Sequence, residues 1–74
     1  MIREYRISGA AVYKNRIRKK YTQEKLSELS GISRSQIQRI EKEVASNCTI
    51  DTFMKISVAL EVDWQELIYE GESE

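Results

Sequence analysis

Hydrophobic residues along this chain recur at three- and four-residue intervals, the spacing of one face of an α-helix. Tyr13, Ile17 and Tyr21, with Ala10 in phase, lay an apolar stripe on a first helix from about Gly9 to Lys20, and Ser8 ahead of it can cap the free backbone N–H groups. Leu26 and Leu29 form the inward pair of a second helix, Gln23 to Ser30, opened by Thr22. Gly31 then stands where a helix must leave through positive φ, which costs glycine no Cβ clash. Ile32 plugs the core, and Ser33 with Gln36 makes a Ser-x-x-Gln capping box that starts a third helix, ending at about Lys42. Ile50, Phe53, Ile56 and Leu60 form the buried stripe of a fourth helix, Ile50 to Leu60, capped by Thr49. Asp63 and Glu66 repeat the box-like spacing before a short fifth helix, Trp64 to about Tyr69, closed by Gly71. The expected fold class is all-α, a compact five-helix bundle.

Two stretches carry no helical period. Residues 1–7 alternate loosely, with Arg3 and Arg6 between Ile2, Tyr5 and Ile7, and read equally as an arm, an extra strand or a frayed end. Val44 to Cys48 reads as a polar connector. The organisation expected is an arm at 1–8, one domain at 9–70 and an acidic tail at 71–74. Seventy-four residues suffice for only one small core, and the absence of Pro and scarcity of Gly suit short packed helices.

Composition narrows the chemistry. One cysteine and no histidine rule out a multi-ligand zinc site and a disulfide framework. Cys48 reads as a small half-buried filler, and no metal or cofactor is expected. No paired carboxylates share a face, so no general acid or base suggests itself and the chain is not expected to be an enzyme. No apolar run reaches the length of a signal peptide or membrane span, so a cytoplasmic protein without membrane association is expected.

The net charge of zero hides a division. Residues 1–42 hold eleven Lys and Arg against four Asp and Glu, a net of +7, whereas residues 43–74 hold Lys55 against eight acids, a net of −7. Such a dipole can offer a basic face to phosphate and keep its acidic end away. At about 100° per residue, Ile37, Ile40 and Glu41 share the buried side of the third helix. Ser35, Arg39 and Lys42 point outward, Gln36 and Gln38 flank them, and Arg34 projects past the first turn. Arg, Gln and Ser are the side chains that read guanine and adenine edges in a major groove.

These residues carry a family resemblance. Thr22-Gln23-Glu24-x-Leu26, Ser30-Gly31-Ile32-Ser33, Ile37-Gln38-Arg39-Ile40-Glu41, and Ile50-Asp51-Thr52-Phe53 through Leu60-Glu61-Val62-Asp63 together resemble the phage-repressor and Cro-type helix-turn-helix proteins, the Xre-like family, over about residues 9–70. The resemblance implies a lambda-repressor-like fold with helices 2 and 3 as the helix-turn-helix. It implies a sequence-specific transcriptional regulator, a repressor, that binds a double-stranded, near-palindromic operator as a homodimer with half-sites about 34 Å apart.

Carried over residue by residue, it implies base contacts from Arg34, Ser35, Gln38 and Arg39. Phosphate contacts fall to Thr22, Gln23, Gln36, Lys42, Ser46 and Asn47. Arg16 and Glu41 match the family's internal ion pair, and Trp64, Gln65 and Ile68 the dimer patch, although Trp64 reads equally as core. The chain departs from the pattern at three places. Glu43 stands where glycine is usual, so the third helix is expected to overrun. The connector lacks the usual basic residues and proline. Asn15 takes the place of a leucine in helix 1. The rival reading is a protein-interaction module, an antitoxin or anti-repressor, in which the acidic half docks a separate protein partner.

Overall fold

The computed structural model describes residues 4–69, so the tail at 71–74 lies outside the described residues. Its elements are β1 (Glu4–Ser8), α1 (Gly9–Arg18), α2 (Gln23–Ser30), α3 (Arg34–Lys42), β2 (Ala45–Thr49), α4 (Ile50–Leu60) and a 3-10 turn at Trp64–Glu66. The expected five-helix, all-α bundle is therefore corrected to four α-helices around a small antiparallel sheet.

Each helix start is chemically defined. The side chains of Ser8, Thr22, Ser33 and Thr49 accept from Ala11, Lys25, Gln36 and Thr52 N–H respectively. Caps of this type are each worth about 0.5–2 kcal/mol. Asp63 makes no such side-chain bond, and only one 3-10 turn follows it. The fifth helix fails because its backbone is used elsewhere. Leu67 C=O accepts from Ser8 N–H at 2.7 Å, and Tyr69 N–H donates to Arg6 C=O at 2.8 Å. Residues 67–69 thus lie along one edge of β1, with Ile7 bridged to Ile68.

β2 holds the other edge of β1, in the register Tyr5↔Cys48, Arg6↔Asn47 and Ile7↔Ser46. Alternation sends Tyr5, Ile7, Ser46 and Cys48 toward the core and Arg6, Asn47 and Thr49 outward. The expected polar connector is a strand whose inward residues are small and only weakly apolar. The arm, strand or fray left open at the N-terminus is, over residues 4–8, a strand.

The core gathers Ile7, Val12, Leu26, Ile32, Ile37, Ile40, Phe53, Ile56, Leu60 and Leu67. Phe53 is its centre, with Tyr5 and Trp64 edge-on at ring-centroid distances of 5.9 and 6.3 Å. Tyr13, Ile17, Leu29 and Ile50, expected to face inward, are instead exposed, as is Ala10 in phase with the first two. On α1 the buried positions are Gly9, Val12, Asn15 and Arg16, so the helix is rotated and Tyr13 and Ile17 face outward. Buried Asn15 is satisfied locally: its Nδ2 donates to Ala11 C=O at 2.8 Å and its Oδ1 accepts from Arg18 at 2.5 Å. On α2 the inward pair is Leu26 and Ser30, one turn apart, and Leu29 is exposed. Ile50 opens α4 on its outer side.

α1 meets α3 end to end. A Cβ on Gly9 would lie 2.2 Å from Glu43 C=O and 2.3 Å from Ile40 C=O, so this glycine lets the start of α1 rest on the last carbonyls of α3. Positive helix start against negative helix end is also favourable electrostatically. At the other end of α1, Lys19 pairs with Glu61, the left-handed C-cap of α4 at φ 59°.

Gly9→Ala is expected to destabilise the domain by about 1–3 kcal/mol, the usual cost of overpacking against backbone that cannot yield. A lower urea midpoint at unchanged slope would show it. The Lys19–Glu61 pair gives a pH signature. Lys19 hydrogen-bonds the Glu61 carboxylate and holds its pKa below the ordinary carboxylate value, while the same bond raises that of Lys19. A depressed carboxylate stabilises the fold above its unfolded pKa and loses that contribution as pH falls through the folded one. Glu61→Gln should therefore flatten part of the acid limb of a stability–pH curve, with the difference from the parent shrinking in high salt.

Candidate nucleic-acid interface

The site is built on the turn between α2 and α3. Gly31 closes α2 at φ 76° and ψ 9°, and open space surrounds the place a Cβ would take, so backbone conformation is what calls for glycine here. Two serines brace the turn. Ser30 Oγ donates to Leu26 C=O at 2.7 Å and accepts from Ile32 N–H at 3.1 Å, and Ser27 Oγ donates to Ile32 C=O at 2.6 Å. They hold Ile32 in the core and so set the angle at which α3 leaves. Sequence reasoning passed over both, because serine in a helix signals no such role by itself.

α3 divides cleanly. Ile37 and Ile40 are buried, whereas Arg34, Ser35, Gln38, Arg39 and Lys42 are exposed and Gln36 is partly so. Among the described residues, Arg34, Arg39 and Lys42 enter no ion pair. The one acid inside the helix, Glu41, is withdrawn from the outer face. Arg16 Nε lies 2.7 Å from Glu41 Oε2, Arg16 Nη2 lies 3.0 Å from Oε1, and the two side chains are only 10% and 6% exposed. Gln23 Nε2 also donates to Oε1 at 3.0 Å, and Arg16 Nη1 donates to Tyr21 C=O at 2.9 Å. The bond to Glu41 raises the pKa of Arg16 above its ordinary value, against the opposing effect of burial. The Tyr13 ring covers the guanidinium at 5.4 Å.

The remaining site residues fall in three groups. Thr22 is exposed and its hydroxyl caps α2, and Gln23, half-buried, already spends its amide on Glu41. Asn47 is exposed on the outer face of β2, but Ser46 is 1% exposed and its hydroxyl donates to Glu43. Ser46 therefore faces the core. Trp64 is 37% exposed and rests on Phe53, Gln65 is exposed, and Ile68 is partly buried in its bridge to Ile7. Sequence reasoning also missed Arg6, which the sheet register sets beside Asn47 on the outer face, with its guanidinium 5.3 Å from the Tyr69 ring centroid. The alternation of Tyr5, Arg6 and Ile7 was the available signal. Glu43 does not extend α3: it is its C-cap, in extended conformation at φ −96° and ψ 147°, and leads directly into β2. Among the described residues, no cluster of His, Cys, Asp and Glu could hold a metal ion, and no helix is long and apolar enough to cross a membrane.

Two short helices joined by a glycine turn, the second with its polar face outward, constitute a helix-turn-helix. The helix-turn-helix family model HTH_3 matches residues 12–67, and the chain belongs to this family, in its Xre-like branch. No curated protein sequence matches. Among solved structures, the chain is similar to the restriction-modification controller protein C.AhdI from Aeromonas hydrophila, at 29% identity and TM-score 0.72 over 78% of this chain and 86% of that one. It is similar also to the Bacillus subtilis biofilm regulator SinR in complex with DNA, at 28% identity and TM-score 0.73 over 77% and 90% of the two chains. A SinR–SinI protein complex matches at 28% identity and TM-score 0.71 over 77% and 55%.

Removing either member of the Arg16–Glu41 pair leaves the other charge buried and unpaired, at a cost of about 3–5 kcal/mol. Glu41→Gln and Arg16→Met are each expected to lower stability on that scale in urea denaturation. The double substitution should cost clearly less than the sum of the two singles.

Proposed function

We propose that the protein is a sequence-specific double-stranded-DNA-binding transcription regulator that represses by occupying an operator, with α3 in the major groove. The observation that carries this reading is the outer face of α3: two arginines, a lysine, a glutamine and a serine are exposed, and Glu41, the one acid within the helix, is tied down beneath them. The DNA-bound SinR structure supports it, being similar over most of both chains.

In this reading Arg34 and Arg39 fork onto guanine O6 and N7, Gln38 pairs with adenine and Ser35 bonds either base. Thr22, Gln36, Lys42 and Asn47 take phosphates, joined by Arg6 through its place beside Asn47. The exposed starts of α2 and α3 add their own affinity for phosphate. Gln23 contributes through the second N–H of its amide and by holding Glu41, and buried Ser46 is left with a structural role. Two copies on a near-palindromic site, inside the cytoplasm, complete the proposal. The protein acts by binding, not by catalysis.

Selection of duplexes from a random pool by the purified chain tests this directly. Enriched sequences are expected to contain a short inverted repeat, with affinity falling steeply as salt rises. Arg39→Ala should remove about 1–3 kcal/mol of discrimination at one base position, while Lys42→Ala should weaken all duplexes alike and reduce the salt slope by about one. Binding to a selected duplex that neither substitution alters would overturn the assignment to α3. Salt-insensitive capture of a protein, with no duplex enriched, would favour the interaction-module reading instead.

A further inference from the structure

We infer that the groove between α1 and the 3-10 turn is a binding site for a small dicarboxylate that also carries an ammonium group, the chemistry of an acidic amino acid. Ala10, Ala11, Lys14, Asn15 and Arg18 of α1 form one wall and Glu66 the other, around a volume of about 440 Å³. That is the size of a small-molecule site, with the alanine methyls as its apolar part. Lys14 and Arg18 stand one turn apart along its length, in a helix that holds no acid. Among the described residues Lys14 enters no ion pair, and Arg18 meets Glu66 only at 3.9 Å, with both side chains more than half exposed. Such a contact contributes little and gives way readily to a competing ligand.

Asn15 is the fixed point of this groove. It is 6% exposed, and burying a carboxamide carries a desolvation cost that an apolar side chain would not. Its Nδ2 settles on the Ala11 carbonyl of the preceding turn, which leaves Oδ1 to hold Arg18 Nη2. A buried acceptor thus orients the guanidinium, whose other N–H groups stay available to fork onto a carboxylate. Charge then selects the ligand. Lys14 and Arg18 against Glu66 leave the groove at a net +1, which a ligand of net −1 matches. One carboxylate falls to Arg18, a second to Lys14, and an ammonium group to Glu66. A simple anion would set Glu66 against like charge. Both walls also belong to the frame that sets α3: Leu67, next to Glu66, accepts from Ser8 N–H, and Gly9 rests on the last carbonyls of α3.

Amide NMR titration of the full chain, without DNA, tests the inference with L-glutamate, glutarate and inorganic phosphate as probes. L-glutamate is expected to shift resonances of residues 10–18 and 66, with a dissociation constant of about millimolar, as suits a half-open site. Glutarate, which lacks the ammonium group, should bind about threefold or more weakly, and phosphate more weakly still. Glu66→Gln should abolish the preference for L-glutamate over glutarate and leave the fold intact, since Glu66 is exposed. Arg18→Gln should weaken L-glutamate by about tenfold. Asn15→Leu keeps both cations and the selecting Glu66, so it should weaken L-glutamate and glutarate by the same factor, about threefold, the mark of a positioning residue. Glutarate or phosphate binding as tightly as L-glutamate reduces the groove to a basic patch and overturns the inference. So does a Glu66→Gln chain that keeps the preference, or an L-glutamate titration in which no resonance of the groove moves. α3 takes no part in the groove and no DNA is present, so this reading and the DNA-binding one succeed or fail separately.

Discussion

The orientation of the helices rests on a single buried contact, the fork between the Arg16 guanidinium and the Glu41 carboxylate. Two parallel charge-assisted hydrogen bonds set a rotation as well as a distance, which an apolar contact of the same volume would not. The contact also reaches beyond its two members. Gln23 draws the start of α2 onto the same carboxylate, and the Tyr21 carbonyl ties the α1–α2 turn to the same guanidinium. Three helices are thereby referenced to one point at the end of α3. Serines 27 and 30 supply a second reference at its beginning, through Ile32.

This arrangement separates the tasks of α3. Its inner residues and its acid are committed to the bundle, so its outer residues bear none of the packing. Arg34, Ser35, Gln38 and Arg39 can change identity without disturbing a contact that the domain needs. A binding surface built in this way can be respecified by substitution, whereas Gly9, Arg16, Gly31 and Glu41 are held by geometry. The opposite charge of the two halves has a related effect, since the cations lie with the helix-turn-helix and most of the acids lie after it.

Much of this was legible in the residues. The starts of the four helices follow from Ser8, Thr22, Ser33 and Thr49, the turn follows from Gly31, and the division of α3 follows from the helical repeat. What was not legible has physical causes. The phase of α1 was misread because aromatic and β-branched residues at 13, 17 and 21 look like a core stripe, while a charged residue, Arg16, takes the buried side once it has a partner 25 positions away. Leu29 and Ile50 were misplaced for a similar reason: periodicity shows which residues share a face, not which face another helix covers. β2 was invisible because its inward residues are serine and cysteine, which carry little strand preference. The fifth helix had adequate local signals but lost residues 67–69 to hydrogen bonds with a strand some sixty positions earlier.

That last feature bears on how the chain is made. β1 precedes both segments that complete its edges, residues 45–49 and 67–69. During translation the strand emerges with neither partner, and its inward residues Tyr5 and Ile7 have no core to enter. The α2–α3 pair, whose contacts are local, can form on the ribosome, but the sheet closes only when residue 69 has cleared the exit tunnel. Since β1 leads directly through Ser8 and Gly9 into the helix that carries Arg16, the final setting of α3 is coupled to the docking of residues 67–69.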